Sequence, residues 1–216
     1  MRTLEVETPH GPAAAHIHGA DEATAALVLG HGAGGGVTAP DLVAAADAAL
    51  AEGLTAVLIE QPYRVAGRRS PAPARQLDSA WTAVVECLIE DELRGLPLVV
   101  GGRSLGARVA CRTVDAAGAA AVLCLAFPLQ PPARAGGAPS PSRIEELDAV
   151  TVPMLVVQGV RDRFGIPPIT DRRAVVEVPG DHSLRTDPKA VGAAVRAWLP
   201  EVVGRAARAA TSGPAA

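Results

Sequence analysis

Val99-Val100-Gly101-Gly102-Arg103-Ser104-Leu105-Gly106-Ala107-Arg108 decides how the chain reads. A short apolar strand runs straight into Gly-x-Ser-x-Gly, and a helical pattern starts immediately behind it. So tight a turn forces Ser104 into a strained backbone conformation that lifts its hydroxyl clear of the sheet. Glycines at 102 and 106 remove the Cβ atoms that would collide with the neighbouring strand and helix. The serine also stands at a helix N-terminus, where free N–H groups favour developing negative charge. The alternative is a serine that only caps an ordinary strand-to-helix turn. The rest of the chain decides between the two.

Downstream, Met154–Gln158 reads as a strand that runs into Gly159-Val160-Arg161-Asp162. Ala174–Val178 reads as the last strand and ends in Pro179-Gly180-Asp181-His182. Ser104, Asp162 and His182 therefore follow three different strands in chain order. Nucleophilic catalysis needs such a set: His182 takes the serine proton and returns it to the leaving group, while Asp162 fixes the imidazole tautomer. Asp181 is the rival acid, but adjacent side chains on a loop seldom face each other. Taken singly, Asp162 is a loop turn-former and His182 one of five histidines; together the three make a triad.

Upstream, Ala25–Leu29 is a compact buried strand that ends in Gly30-His31-Gly32-Ala33-Gly34-Gly35-Gly36. An oxyanion needs two preorganised N–H donors. Leu105, next to the nucleophile, supplies one, and Ala33 or Gly34 supplies the other. His31 orders this loop through its ring nitrogens; a second base is the alternative. Gly30-x-Gly32-x-x-Gly35 also fits a dinucleotide fingerprint, with Glu60 where a ribose-binding acid belongs. That reading fails because two strands precede it and it leaves the triad residues without a role. A phosphate loop fails for lack of Gly-Lys-Ser/Thr after the glycines. No cofactor and no metal are assigned.

The remaining segments read as strands at 4–8 and 13–18, a helix from Pro40 to Glu52, and a strand from Leu54 to Glu60. A helix from Ala74 to Leu93, another from the serine turn to Ala117, and a strand Ala120–Phe127 follow. Residues 142–149 read as one short helix, and a last helix runs from Pro188 to about Arg208 with a break or kink at Pro200. Strands alternating with helices imply one α/β domain over 1–203, a mostly parallel doubly wound sheet with helices on both faces. Residues 204–216 are expected to be a frayed tail. In such sheets ligands bind beyond the carboxyl ends of the strands, where every unusual segment here lies.

A chain of 216 residues supports one such domain. Aromatics are only 2% of it, so Ala, Val and Leu build the core. The net charge of −3 and a pI near 6.0 recruit neither nucleic acid nor an anionic membrane. The first residues, Met1-Arg2-Thr3-Leu4-Glu5-Val6-Glu7, carry acids and no apolar signal region. The longest apolar run, Ala119 to Phe127, is about half a membrane span. Cys87, Cys111 and Cys124 have no paired spacing and read as buried reduced thiols, so a cytoplasmic protein is expected. His16 and His18 share a strand face with no third metal ligand in a fitting spacing. No segment decides between monomer and homodimer.

With these residues assembled, the chain resembles the α/β-hydrolase superfamily. Within it, the chain is similar to a small dienelactone-hydrolase-like branch that includes testis-expressed protein thirty and the hydrolase-like domain of the third NSL complex subunit. The resemblance rests on His31-Gly32-Ala33-Gly34-Gly35, Pro62-Tyr63 with Ala66-Gly67-Arg68-Arg69, and Gly101-Gly102-Arg103-Ser104-Leu105-Gly106. It continues in Phe127-Pro128-Leu129, Gln158-Gly159 with Asp162, and Asp181-His182-Ser183-Leu184. It implies a three-layer αβα fold and a Ser104–His182–Asp162 triad, with a poorly defined substrate. Dienelactone hydrolases proper use cysteine, so serine here argues against that thiolate route. Some relatives serve as interaction modules.

The function expected is hydrolysis of a small ester or thioester through an acyl-enzyme, the alternative being a non-catalytic binding module of the same fold. The gap Pro128–Pro141 is too short and proline-rich for a helical lid, so the site should be open, walled by 61–71 and 128–141. The loop 61–71 reads as long, basic and irregular. His31, Tyr63, Arg64, Arg68 and Arg103 are the candidate substrate-binding residues, the arginines favouring an acidic group. For Arg68 the alternative is a solvated or structural patch; for Arg103 it is a strut bonding loop carbonyls.

Overall fold

The computed structural model describes residues 1–133, 137 and 140–211. Its strands are β1 (Arg2–Val6), β2 (Ala13–His18), β3 (Ala25–Gly30), β4 (Leu54–Glu60), β5 (Leu98–Arg103), β6 (Ala121–Leu125), β7 (Met154–Gly159) and β8 (Arg173–Val178). Its helices are α1 (Pro40–Ala51), α2 (Pro62–Val65), α3 (Ala74–Glu90), α4 (Leu105–Thr113), α5 (Ile144–Asp148) and α6 (Pro188–Thr211). One sheet takes the order β1-β2-β4-β3-β5-β6-β7-β8. The pairs β1/β2 and β2/β4 are antiparallel, and every pairing from β4 through β8 is parallel.

The strands alternate in two senses at once. Val28, Val100, Val122 and Val156 pack on one face with Leu77, Trp81 and Leu88 of α3 and Val109 of α4. Their neighbours Leu27, Val99, Leu123 and Leu155 pack on the other face with Leu42 and Ala45 of α1 and Val191, Val195 and Leu199 of α6. A sheet apolar on both faces needs helices on both, and a three-layer αβα domain results. Helix α4, which carries the turn after β5, is tied to its neighbours by bidentate pairs. Arg108 reaches Glu146 of α5 at 2.9 and 2.5 Å, and Arg112 reaches Asp78 of α3 at the same two distances.

Several boundaries differ from the sequence reading. The first strand runs over Arg2–Val6 instead of 4–8. The loop after β4 is not irregular throughout: Pro62 starts the four-residue helix α2, where its fixed φ suits the first helical turn. Helix α6 runs through Pro200 to Thr211, past its expected end at about Arg208 and through residues 204–211 of the expected tail. Leu199 and Val202 flank the proline and are both buried, so packing holds the helix across the missing N–H. The rest of the expected tail, 212–216, lies outside the described residues, as do 134–136, 138 and 139 of the wall expected at 128–141. Cys111 and Cys124 are buried as thiols with their sulfurs 3.5 Å apart, whereas Cys87 is half-buried. Among the described residues no helix is long and apolar enough to cross a membrane.

Candidate active site

Ser104 joins β5 to α4 at φ 52° and ψ −103°, a left-handed backbone that non-glycine residues seldom adopt. Its N–H is anchored to the Leu125 carbonyl at 2.9 Å. The flanking glycines are required by contact. A Cβ on Gly102 would lie 2.5 Å from the Gly30 carbonyl oxygen, and one on Gly106 would lie 2.9 Å from that of His31. Close passage of β3, β5 and α4 at this point forces the serine side chain outward.

Beyond the ends of β7 and β8, two loops bring Asp162 and His182 to it. Ser104 Oγ lies 2.9 Å from His182 Nε2, and His182 Nδ1 lies 2.8 Å from Asp162 Oδ2. The Asp162 side chain is fully buried and that of His182 is 22% exposed. A buried carboxylate needs its oxygens satisfied. Oδ1 accepts the Phe164 N–H at 2.9 Å, and Oδ2 also accepts from Gln158 Nε2 at 2.8 Å. Gln158 donates further to the carbonyls of Phe127 and Gly165, so it pins the acid to both flanking loops. The Phe164 ring covers one side of the imidazole, centroid to centroid 4.3 Å. Asp181, the rival acid, turns instead to the N–H and hydroxyl of Ser183 at 2.9 and 2.6 Å.

The glycine-rich loop after β3 crosses in front of the serine. Among the described residues no backbone carbonyl accepts the N–H of Ala33, Gly34 or Leu105. Ala33 and Leu105 are half-buried and Gly34 is exposed. His31 holds the loop from beneath. Its Nδ1 lies 2.8 Å from the Gly32 carbonyl, and its Nε2 accepts the Gln61 N–H at 3.1 Å. Those partners define a neutral ring protonated at Nδ1. Burial pushes its pKa below the ordinary 6.5, against the pull of the Gly32 carbonyl. Tyr63 donates its hydroxyl to the Ala33 carbonyl at 3.0 Å, and its pKa is pushed up to about 12 by burial.

Three of the residues weighed as substrate-binding are thus engaged by the protein. His31 and Tyr63 are buried supports of the loop, with their polar atoms committed to backbone groups. Arg103 meets Asp41 and the His182 carbonyl, as described below. Arg64 donates weakly to the Arg68 carbonyl at 3.5 Å, and only Arg68 of the five is exposed. Sequence reasoning missed Asp41, Gln158 and Phe164 as neighbours of the site. Gln158 and Phe164 flank Asp162 closely enough to have been suspected; Asp41 is brought in by α1, which nothing near Ser104 signals.

The sequence profile of the alpha/beta hydrolase domain family matches residues 23–209. No curated protein matches the sequence. Among solved structures, an alpha-beta serine hydrolase homologue from Coxiella burnetii is similar with a TM-score of 0.75 at 15% identity, over 92% of this chain and 97% of that one. A serine hydrolase without a lid from Xanthomonas campestris gives 0.68 at 20% identity, over 92% and 95%. A dienelactone hydrolase from Anabaena variabilis gives 0.71 at 16% identity, over 93% and 96%. At such identities these likenesses speak for the fold. The profile match runs from just before the first parallel strand almost to the end of the last helix, and on that ground the chain belongs to the alpha/beta hydrolase family.

Proposed function

We propose that the protein is a serine hydrolase that cleaves a small carboxylic ester or thioester by way of an acyl-enzyme. The observation that carries this reading is the unbroken line from Ser104 Oγ through His182 to Asp162, at 2.9 and 2.8 Å, on a serine in a left-handed backbone. Ser104 Oγ attacks the substrate carbonyl carbon while His182 Nε2 takes its proton. The Leu105 N–H and that of Ala33 or Gly34 receive the oxyanion; one such donor is worth about 3 kcal/mol in the transition state. Collapse of the tetrahedral adduct expels the alcohol or thiol, which leaves with the proton held on His182. Water, deprotonated by the same nitrogen, then releases the acid and restores Ser104. Asp162 keeps the Nδ1 proton in place throughout. The substrate is a small cytoplasmic molecule that enters from the solvent-facing side of Ser104, Leu105 and His182, all of them half-buried.

The test is a fluorophosphonate probe on the full chain. Labelling of wild type that disappears in Ser104→Ala, with p-nitrophenyl acetate turnover lost in parallel, is the expected result. A folded wild type that neither labels nor turns over would sink this reading in favour of a binding module.

A further inference from the structure

Arg103 closes β5 immediately before Ser104, and its guanidinium touches three other parts of the site. Its Nε lies 2.9 Å from Oδ2 of Asp41, a residue with no exposed surface in the first turn of α1. The N–H does not point along that line, so the contact is an ion pair and not a directed hydrogen bond. Nη2 donates to the backbone carbonyl of His182 at 3.1 Å. Nη1 fills the space above Gly32, where an added Cβ would come within 2.8 Å of it. The Arg103 side chain is 16% exposed. Two nitrogens are therefore engaged by protein groups, and the third faces the loop that carries Ala33 and Gly34.

A planar fork suits this task better than a point charge. It spans the Asp41 carboxylate and the His182 carbonyl at once, which a single ammonium cannot do. The bond to the His182 carbonyl acts on the backbone of the histidine loop, and that loop sets how far Nε2 stands from Ser104 Oγ. Gly32 is the seat: any side chain there pushes the guanidinium away. A shift of about 1 Å between reacting groups costs about 10²-fold in rate.

We propose that Arg103 and Asp41 form a positioning pair that locks the His182 loop and the Gly32–Gly34 loop onto the Ser104 turn, and that Arg103 is not a ligand for the substrate. The proposal rests on Ser104 as nucleophile for its kinetic readouts, and on geometry alone for its spectroscopic one. Arg103 is a positioning residue because it acts through His182 and the loop backbone.

The test compares wild type with Arg103→Met, Arg103→Lys, Asp41→Asn and Gly32→Ala, all as full chains. Fluorophosphonate labelling rates and kcat and KM for p-nitrophenyl acetate read the chemistry. His182 ring signals in long-range proton–nitrogen spectra read its position without turnover. In Arg103→Met, kcat and the labelling rate are expected to fall by about 10²-fold with KM within about twofold, and the His182 signals to shift or broaden. Arg103→Lys and Asp41→Asn should fall between it and wild type, and millimolar guanidinium should restore part of the labelling of Arg103→Met. Gly32→Ala should reproduce the His182 shift with all charges intact, which keeps the proposal testable even if Arg103→Met does not fold. A raised KM at unchanged kcat would make Arg103 a substrate ligand and overturn the proposal. Unchanged His182 signals in both Arg103→Lys and Gly32→Ala would overturn it too. If wild type is inert towards probe and ester, the hydrolase reading fails, while the His182 spectra still decide this one.

Discussion

At the scale of single residues, Ser104 is the point of greatest local cost. A non-glycine residue held at φ 52° stores about 1–3 kcal/mol, which surrounding structure must offset. Here the offset comes from the Leu125 carbonyl on its N–H and from two flanking glycines that let three backbones close around it. The strain belongs to the backbone, so it should be separable from the hydroxyl. Ser104→Gly and Ser104→Ala both remove the hydroxyl, but only glycine relieves the φ. Ser104→Gly is therefore expected to be about 1 kcal/mol more stable than Ser104→Ala in urea unfolding. Equal midpoints for the two would show that the turn is not strained.

At the scale of elements, the site is an assembly of strand ends, and each loop is held by its own polar side chain. Gln158 serves the loop after β7, Arg103 the loop after β8, and His31 the loop after β3. The His31 ring is neutral because it must donate from Nδ1 and accept at Nε2. Its folded pKa lies below its unfolded one, so between the two values the unfolded chain binds more protons. Its contribution to stability is complete above the ordinary 6.5 and is lost as the pH falls from there towards the folded value. Wild type should therefore lose stability relative to His31→Gln as the pH falls below about 6.5. Parallel unfolding curves for the two proteins across that range would contradict this sign.

At the scale of the whole molecule, two cores lie back to back on one sheet, and the site sits where the helices on both sides begin. The two faces are not equivalent near the serine. Trp81 of α3 is fully buried on the face shared with α4, and an added Cβ on Gly30 would lie 3.0 Å from its ring. Its indole thus supports the end of β3, from which the loop carrying Ala33 departs. Trp81→Ala is expected to cost about 3–5 kcal/mol in urea unfolding and to slow fluorophosphonate labelling of the protein that remains folded. A loss of stability with labelling unaffected would mean that the cavity collapses without reaching β3.

Local chemistry made much of this legible. Runs such as Ala25–Leu29 and Val99–Gly102 are apolar at every position, which only strands covered on both faces require. Gly-x-Ser-x-Gly reads as a turn because glycine is the residue that tolerates such close approach. Those signals lie within a few residues of each other, and they reached the parallel sheet, its two helical layers and the ends of β5, β7 and β8. What the sequence left open depends on contacts between distant segments. The helix through Pro200 persists because Leu199 and Val202 are buried against another face, which a proline rule cannot register. Nothing near Arg103 announces Asp41, which α1 carries, from far off in the chain, beneath its guanidinium. His31 and Tyr63 turned inwards for the same reason: their partners, Gln61 and Ala33, become neighbours only when β3 and β4 pair. Residue types and periodicity determined which groups stand at the strand ends, but only the packing of distant loops on one sheet edge decided which of them meet and which are buried.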